Sequence, residues 1–237
     1  MAFVIRSFPR CGTHMLRTAL DSHPEITCHN EVFNPDCLDP QVIDKLGAEG
    51  LYRRYTGNLT GFVVHGYTTE IFPKSRHTEE LWPVIQRERP TLIIIERQDI
   101  LRRAFSVYQA RHTQRWHVWR SQQNRQPLAA PKLQYQEVEW QLARSLDYMV
   151  ANRELFPWGH FFTYEAICDD WQANITLMQE LIGVNTVQEI LPRTAKQDQR
   201  PIQDMVQNYA ALREMFIDTP YGEFFLAAEA NDERRGV

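Results

Sequence analysis

Two short runs constrain this chain more than anything else in it. Thr91–Glu96 reads Thr-Leu-Ile-Ile-Ile-Glu, and Ala2–Phe8 is apolar with almost no alternation. A strand with one wet face alternates apolar and polar residues. Runs apolar on both faces predict strands covered on both sides, as in a parallel sheet. Parallel neighbours need crossover connections, and the intervening segments carry helical periodicity. The spacing predicts helices over His14–Ser22, Pro40–Tyr55, Glu79–Arg87, Ile100–Arg111, Gln136–Leu155, Asp169–Ile182 and Ile202–Phe216. Further strands are predicted at Gly61–His65 and His160–Tyr164. The alternation implies an α/β fold with a parallel sheet flanked by helices. Ligands of such sheets bind beyond the carboxyl ends of the strands.

The global properties set bounds. A chain of 237 residues suits a single α/β domain over 1–237. The net charge of −4 gives no footprint for nucleic acid or a membrane surface. No apolar run approaches the roughly 18 residues of a membrane-spanning helix, and the N-terminus reads as a first strand rather than a signal peptide. Cys11, Cys28, Cys37 and Cys168 form neither a CxxC pair nor a zinc pattern. Idle reduced thiols, and hence a cytoplasmic location, are the expectation. No metal-ligand cluster is visible, and the oligomeric state is not encoded in any recognisable pattern.

The first strand ends in Pro9-Arg10-Cys11-Gly12-Thr13-His14 and opens a helix. This is an anion-binding arrangement. Glycine lets the backbone approach the ligand, and the first-turn N–H groups of a helix point at it. Arg10 adds a fixed charge and Thr13 a hydroxyl. The loop lacks the Gly-x-x-x-x-Gly-Lys-Ser/Thr pattern, which argues against ATP hydrolysis.

The stretch PRCGTHMLRTALDSHPEI resembles the 5′-phosphosulfate loop of sulfotransferases that use PAPS (3′-phosphoadenosine-5′-phosphosulfate). Cys11 and His14 replace the hydroxyl residues usual there. The resemblance implies a P-loop-NTPase-like sulfotransferase fold, with Arg10, Cys11, Gly12, Thr13, His14 and Met15 around the phosphosulfate. A second stretch is similar to the family's 3′-phosphate motif. Arg97 closes the Thr91–Glu96 strand, and Ser106 follows on the next helix. A guanidinium grips a phosphate bidentately and a hydroxyl completes the shell. The Arg97–Ser106 spacing fits bacterial, glycan-type members better than cytosolic phenol-type ones. Tyr164, in Phe-Phe-Thr-Tyr-Glu, looks like the family's adenine-side tyrosine, and Arg193, Lys196 and Gln197 look like its C-terminal cofactor loop.

The implied reaction is in-line displacement at sulfur, releasing PAP and requiring no metal. It needs a base for the acceptor hydroxyl. Two candidates compete. Glu31 lies in a segment similar to the E-x-F of bacterial and glycan sulfotransferases, whose Glu is the base. His65 ends the Gly61–His65 strand, where cytosolic members carry a catalytic His, but the Lys they place two residues earlier is Val63 here. Glu31 is favoured. Arg10 and His14 are the expected stabilisers of the leaving phosphate.

Ile100–Gln136 contains no acidic residue but holds Arg102, Arg103, Arg111, Arg115, Arg120, Arg125, Lys132, Trp116 and Trp119. It predicts a basic, aromatic lid at about 112–135 for an acceptor that is a small molecule or a glycan, with carbohydrate or glycolipid hydroxyls favoured. The rival readings are a P-loop nucleotide kinase and a non-catalytic PAP-binding protein. Stabilisation by PAP but not by ATP–Mg²⁺ excludes the first, and PAP release with an acceptor excludes the second.

Overall fold

The computed structural model describes residues 1–34, 37–65, 76–116, 118–119, 121, 129–195 and 198–235. The chain packs as two compact units, Met1–Glu96 with Met149–Arg193, and Arg97–Tyr148 with Thr194–Val237.

The first unit holds the sheet. Its strands are β1 (Phe3–Ser7), β2 (Thr27–Glu31), β3 (Thr60–His65), β4 (Thr91–Glu96) and β6 (His160–Thr163). The order is β2-β3-β1-β4-β6 and every pairing is parallel. The strands expected from their unbroken apolar character are the central ones. Every residue of β1 is buried, as are all of β3 and β4 beyond their first residues. The sheet thus bears out the predicted parallel α/β architecture.

Helices α1 (Thr13–Leu20), α2 (Pro40–Tyr55), α3 (Arg76–Glu88), α6 (Tyr164–Asp169) and α7 (Trp171–Ile182) belong to this unit. One sheet face packs Val4, Phe62, Val64, Leu92 and Ile94 against Leu51, Leu81 and Ile85 of α2 and α3. Arg6 is buried with its guanidinium 3.9 Å from the Trp82 ring. Its Nε donates to Asn152 Oδ1 (2.6 Å), whose amide donates to buried Glu96 (3.2 Å). Burying these charges is tolerated because Arg6 is hydrogen-bonded and lies over the Trp82 ring, and Glu96 is ion-paired with Arg153 at 2.8 Å.

The second unit is built on α4 (Ile100–Thr113), α8 (Tyr209–Phe216) and α9 (Gly222–Arg235), with β5 (Val118–Trp119) paired antiparallel to β7 (Thr194–Ala195). Helix α5 (Tyr135–Leu155) begins in this unit and ends in the first. Phe105, Phe216 and Phe225 are fully buried, with Phe216 and Phe225 stacked at 5.4 Å.

Four local expectations are corrected. Thr27–Glu31 is a strand that the sequence does not announce, because TCHNE is a largely polar edge strand. Tyr164 opens helix α6 rather than closing β6, since the Thr163 hydroxyl accepts from Ala166 N–H (3.1 Å) and caps it. Ile202–Phe216 is not one helix. A short 3₁₀ turn, Ile202–Asp204, precedes α8, and between them Gln207 N–H donates to Pro131 O (2.9 Å) while Asn208 bonds both backbone groups of Leu133. Those backbone bonds replace the helical ladder. The chain's last long helix is α9 instead.

Candidate active site

The site in the first unit starts at the carboxyl end of β1. Arg10 and Gly12 both adopt left-handed backbone, at φ 71° and 81°. Cys11 between them does not, and this alternation is the type of backbone that makes an anion-binding concavity. A non-glycine residue in that region is strained, and Arg10 accepts the strain at the position where a phosphate-binding charge is expected. Gly12 carries a second constraint. A Cβ there would lie 2.6 Å from the Tyr164 ring, so the loop backbone is pressed against that aromatic face. Helix α1 begins at Thr13 with no side chain capping its first turn. Its N–H groups are therefore oriented as anion donors. These features fit a phosphosulfate. Cys11 is buried, and Met15 and His14 are half-buried.

Next to the loop lies a connected set of side chains. Ser7 and His65 are register partners on β1 and β3. Ser7 Oγ lies 2.9 Å from His65 Nδ1 and 2.5 Å from Thr13 Oγ1. His65 Nε2 lies 2.8 Å from Glu31 Oε1, and Asn34 Nδ2 donates to Glu31 Oε2 at 2.8 Å. The two candidate bases are thus one hydrogen-bonded pair, joined through Ser7 to Thr13 of the loop after β1.

The pair exists because of a bulge. His29 is opposite Phe62, yet Glu31 is opposite Val63, so Asn30 is an extra residue on β2. Side chains alternate between sheet faces, and one inserted residue reverses those that follow. Without it Glu31 would share the face of Phe62 and Val64, among the α2 and α3 side chains. With it, Glu31 stands on the face of Val63 and His65.

Electrostatics follow the geometry. Burial pushes the Glu31 carboxyl up, but the charge and hydrogen bond of His65, the Asn34 amide and the nearby His14 together outweigh it and hold the group below its ordinary range. Burial pushes His65 down, and the Glu31 carboxylate more than reverses this and raises it. Each charge thus favours the other, the carboxylate favouring the protonated imidazole and the imidazolium favouring the carboxylate. His65 is only 8% exposed and Glu31 is 22% exposed. Both imidazole nitrogens of His65 are engaged, whereas Glu31 is the member that reaches the surface.

In the second unit, Arg97 and Ser106 are both buried, 8% and 7% exposed. Asp99 caps α4 by accepting from Arg102 N–H (3.0 Å). Arg102 and Arg103 do not belong to a solvent-facing basic insert. Arg102 is buried against Asp99, Asp232 and the Arg200 carbonyl, and Arg103 against Gln141 and Ser145. They lie on the inner face of α4, where packing demands internal partners. Trp116 is exposed and Trp119 half-buried. Arg193 is exposed, in the first unit, and its N–H donates to Thr18 Oγ1 (3.3 Å). Lys196, Gln197, Arg120 and Arg125 lie outside the described residues. Among the described residues no helix is long and apolar enough to cross a membrane.

Sequence reasoning overlooked Ser7 and Asn34. Ser7 is the one hydroxyl in an otherwise apolar or cationic strand end, which is a weak signal. Nothing in the sequence marks Asn34.

No protein-family model matches the chain. It is 24% identical over 241 residues to Nodulation protein H of Rhizobium meliloti (strain 1021), covering 94% of each chain. It also aligns with two solved structures. One is a sulfotransferase from Alicyclobacillus acidocaldarius, with 20% identity, TM-score 0.46, and coverage of 98% of this chain and 94% of that one. The other is a mouse sulfotransferase complexed with PAP, with 11% identity, TM-score 0.49, and coverage of 99% and 85%.

Proposed function

We propose that this chain is a PAPS-dependent sulfotransferase that moves a sulfuryl group from PAPS to an acceptor hydroxyl by in-line displacement and releases PAP. The observation that carries the reading is the Glu31–His65 pair, bonded through Ser7 to the Arg10–Met15 loop. A general base and an oxyanion-binding loop are what sulfuryl transfer requires of a protein.

Glu31 is the base. His65 has no ring nitrogen left for an acceptor, because Nε2 meets Glu31 and Nδ1 meets Ser7. Glu31 is ionised at neutral pH and takes the hydroxyl proton as the new S–O bond forms. Its depressed basicity suits a displacement in which the nucleophile's proton leaves late. His65 holds the carboxylate in place and stabilises its charge. Arg10, His14 and the first-turn N–H groups of α1 stabilise charge on the leaving oxygen. Tyr164, packed on Gly12, walls the loop on the adenine side. Arg97 and Ser106 bind the 3′-phosphate, and Arg193, Lys196 and Gln197 contribute to the same donor.

The acceptor is a carbohydrate or glycolipid hydroxyl. Trp116 and Trp119 supply aromatic faces for a sugar, and the pairing of β5 with β7 ties this insert to the residues just before Lys196. The Glu31→Gln variant tests the reading. It loses turnover by about 100-fold or more, as removal of a general base does, while PAP still raises the melting temperature. Retained turnover moves the role to His65. Stabilisation by ATP–Mg²⁺ instead of PAP makes the protein a kinase, and PAP binding with no PAP release across a glycan acceptor panel makes it a non-catalytic binder.

A further inference from the structure

Ser7 is fully buried at the end of the central strand, and its hydroxyl has two neighbours that matter. His65 Nδ1 lies on one side and Thr13 Oγ1 on the other. A hydroxyl owns one hydrogen. That rule makes the direction of the whole series depend on one proton. When His65 is imidazolium, Nδ1–H donates to Ser7, Ser7 donates to Thr13, and the Thr13 hydrogen remains for an acceptor in the loop. When Nδ1 is a lone pair, Ser7 donates to it, Thr13 donates to Ser7, and Thr13 presents only lone pairs to an anion.

Resting on the reading of this loop as the phosphosulfate site, we infer that Ser7 is a positioning residue that links the charge on His65 to the direction of the Thr13 hydroxyl. Anion binding is then strongest when the Glu31–His65 pair is ionised, which is when Glu31 is ready to accept a proton. A bound donor and a competent base therefore occur together.

Among the described residues, these groups act on the pair, with the Asn34 amide donating to Glu31 Oε2. Glu31 faces His65 from β2, and Ser7 faces it from β1. Helix α1 contributes His14, which lowers Glu31. His65 Nδ1 also lies 3.4 Å from the Ser7 carbonyl. That acceptor remains when the Ser7 hydroxyl is removed, so Ser7→Ala does not strand the imidazole.

The test is calorimetric titration of the full chain with PAP from pH 5.5 to 9.5, for the unmodified protein, Ser7→Ala, Thr13→Val and the double variant. Titration of PAP itself and of His14 is common to all four and cancels in the comparison. In Ser7→Ala, Thr13 is released to donate at every pH. Its affinity equals that of the unmodified protein at pH 5.5 and exceeds it by about tenfold once pH has risen past the raised value of His65, the worth of one hydrogen bond to a charged group. Thr13→Val lacks this pH-dependent difference whether or not Ser7 is present. Equal weakening by Ser7→Ala at every pH means a merely structural role and overturns the inference. An unchanged pH slope in Ser7→Ala also overturns it. If Ser7→Ala does not fold, a Thr13→Val slope equal to that of the unmodified protein overturns it just as well. Absence of PAP binding by the folded, unmodified protein at any pH overturns the donor-site reading and this inference together.

Discussion

Replacing Gly12 by alanine perturbs two things that can be measured separately. The residue sits at φ 81°, where an L side chain costs roughly 1–2 kcal/mol. The added Cβ also meets Tyr164 Cδ2 at 2.6 Å and Cε2 at 2.9 Å, well inside contact distance. An aromatic ring has no flexible end to yield, so either the ring or the loop must shift, an overpacking cost of about 1–3 kcal/mol. Together the substitution destabilises the protein by about 2–5 kcal/mol. At about 2–4 °C per kcal/mol for a chain of this size, the melting temperature falls by at least several degrees. The assay is urea unfolding of Gly12→Ala, Tyr164→Ala and the double variant, with PAP titration of each. In the Tyr164→Ala background only the backbone term remains, so Gly12→Ala costs about 1–2 kcal/mol there. PAP affinity falls in both glycine variants, because the loop backbone is what approaches the anion. A Gly12→Ala protein with unchanged stability and unchanged PAP binding refutes the reasoning. Additive single-variant costs refute the ring contact alone.

Three further predictions follow from the same structure. The folded value of Glu31 lies below its ordinary 4.5 and that of His65 lies above its ordinary 6.5, so the stability they contribute is fully present between these values. It is lost as pH falls through the depressed value of Glu31 or rises through the raised value of His65. The stability advantage of the unmodified protein over Glu31→Gln, about 1.5–3 kcal/mol at pH 5.5, therefore shrinks as pH rises through the raised value of His65, and a flat difference across the alkaline range contradicts the ion pair. On the proposed role of Arg97 as the 3′-phosphate grip, Arg97→Ala raises the KM for PAPS at least tenfold with a smaller effect on kcat, since a charge-assisted contact to the donor is lost; steady-state kinetics check this. Trp116→Ala with Trp119→Ala raises the acceptor KM more than the PAPS KM, and equal effects on both dispose of the lid. Substitution is the appropriate perturbation there, because Ala130, Pro131 and Leu133 are hydrogen-bonded to Gln207 and Asn208, and a deletion would remove those bonds.

The legible parts of the chain were those in which local chemistry and burial agree. The central strands are apolar on both faces, so their type follows from composition alone. The loop after β1 is marked by Pro9 and Gly12, and Arg10, Thr13 and Arg97 are polar residues at strand ends where a parallel sheet binds ligands. The edge strand Thr27–Glu31 was hidden because an edge needs little apolar surface. Arg102 and Arg103 misled for the opposite reason. A charge count assigns them to a solvent-facing insert, whereas the partners that let them be buried, Asp232, Gln141 and Ser145, lie far along the chain.

The sequence by itself determined the sheet class and marked the loop after β1 and the two candidate bases. It presented Glu31 and His65 as rivals. Only the tertiary structure made them partners. A side chain's face depends on the register between strands, and the single extra residue at Asn30 turns Glu31 from the α2–α3 face to that of His65. Register is a property of two strands and cannot be read from either one, and for the same reason Ser7 becomes visible as the link to Thr13 only when β1 lies beside β3.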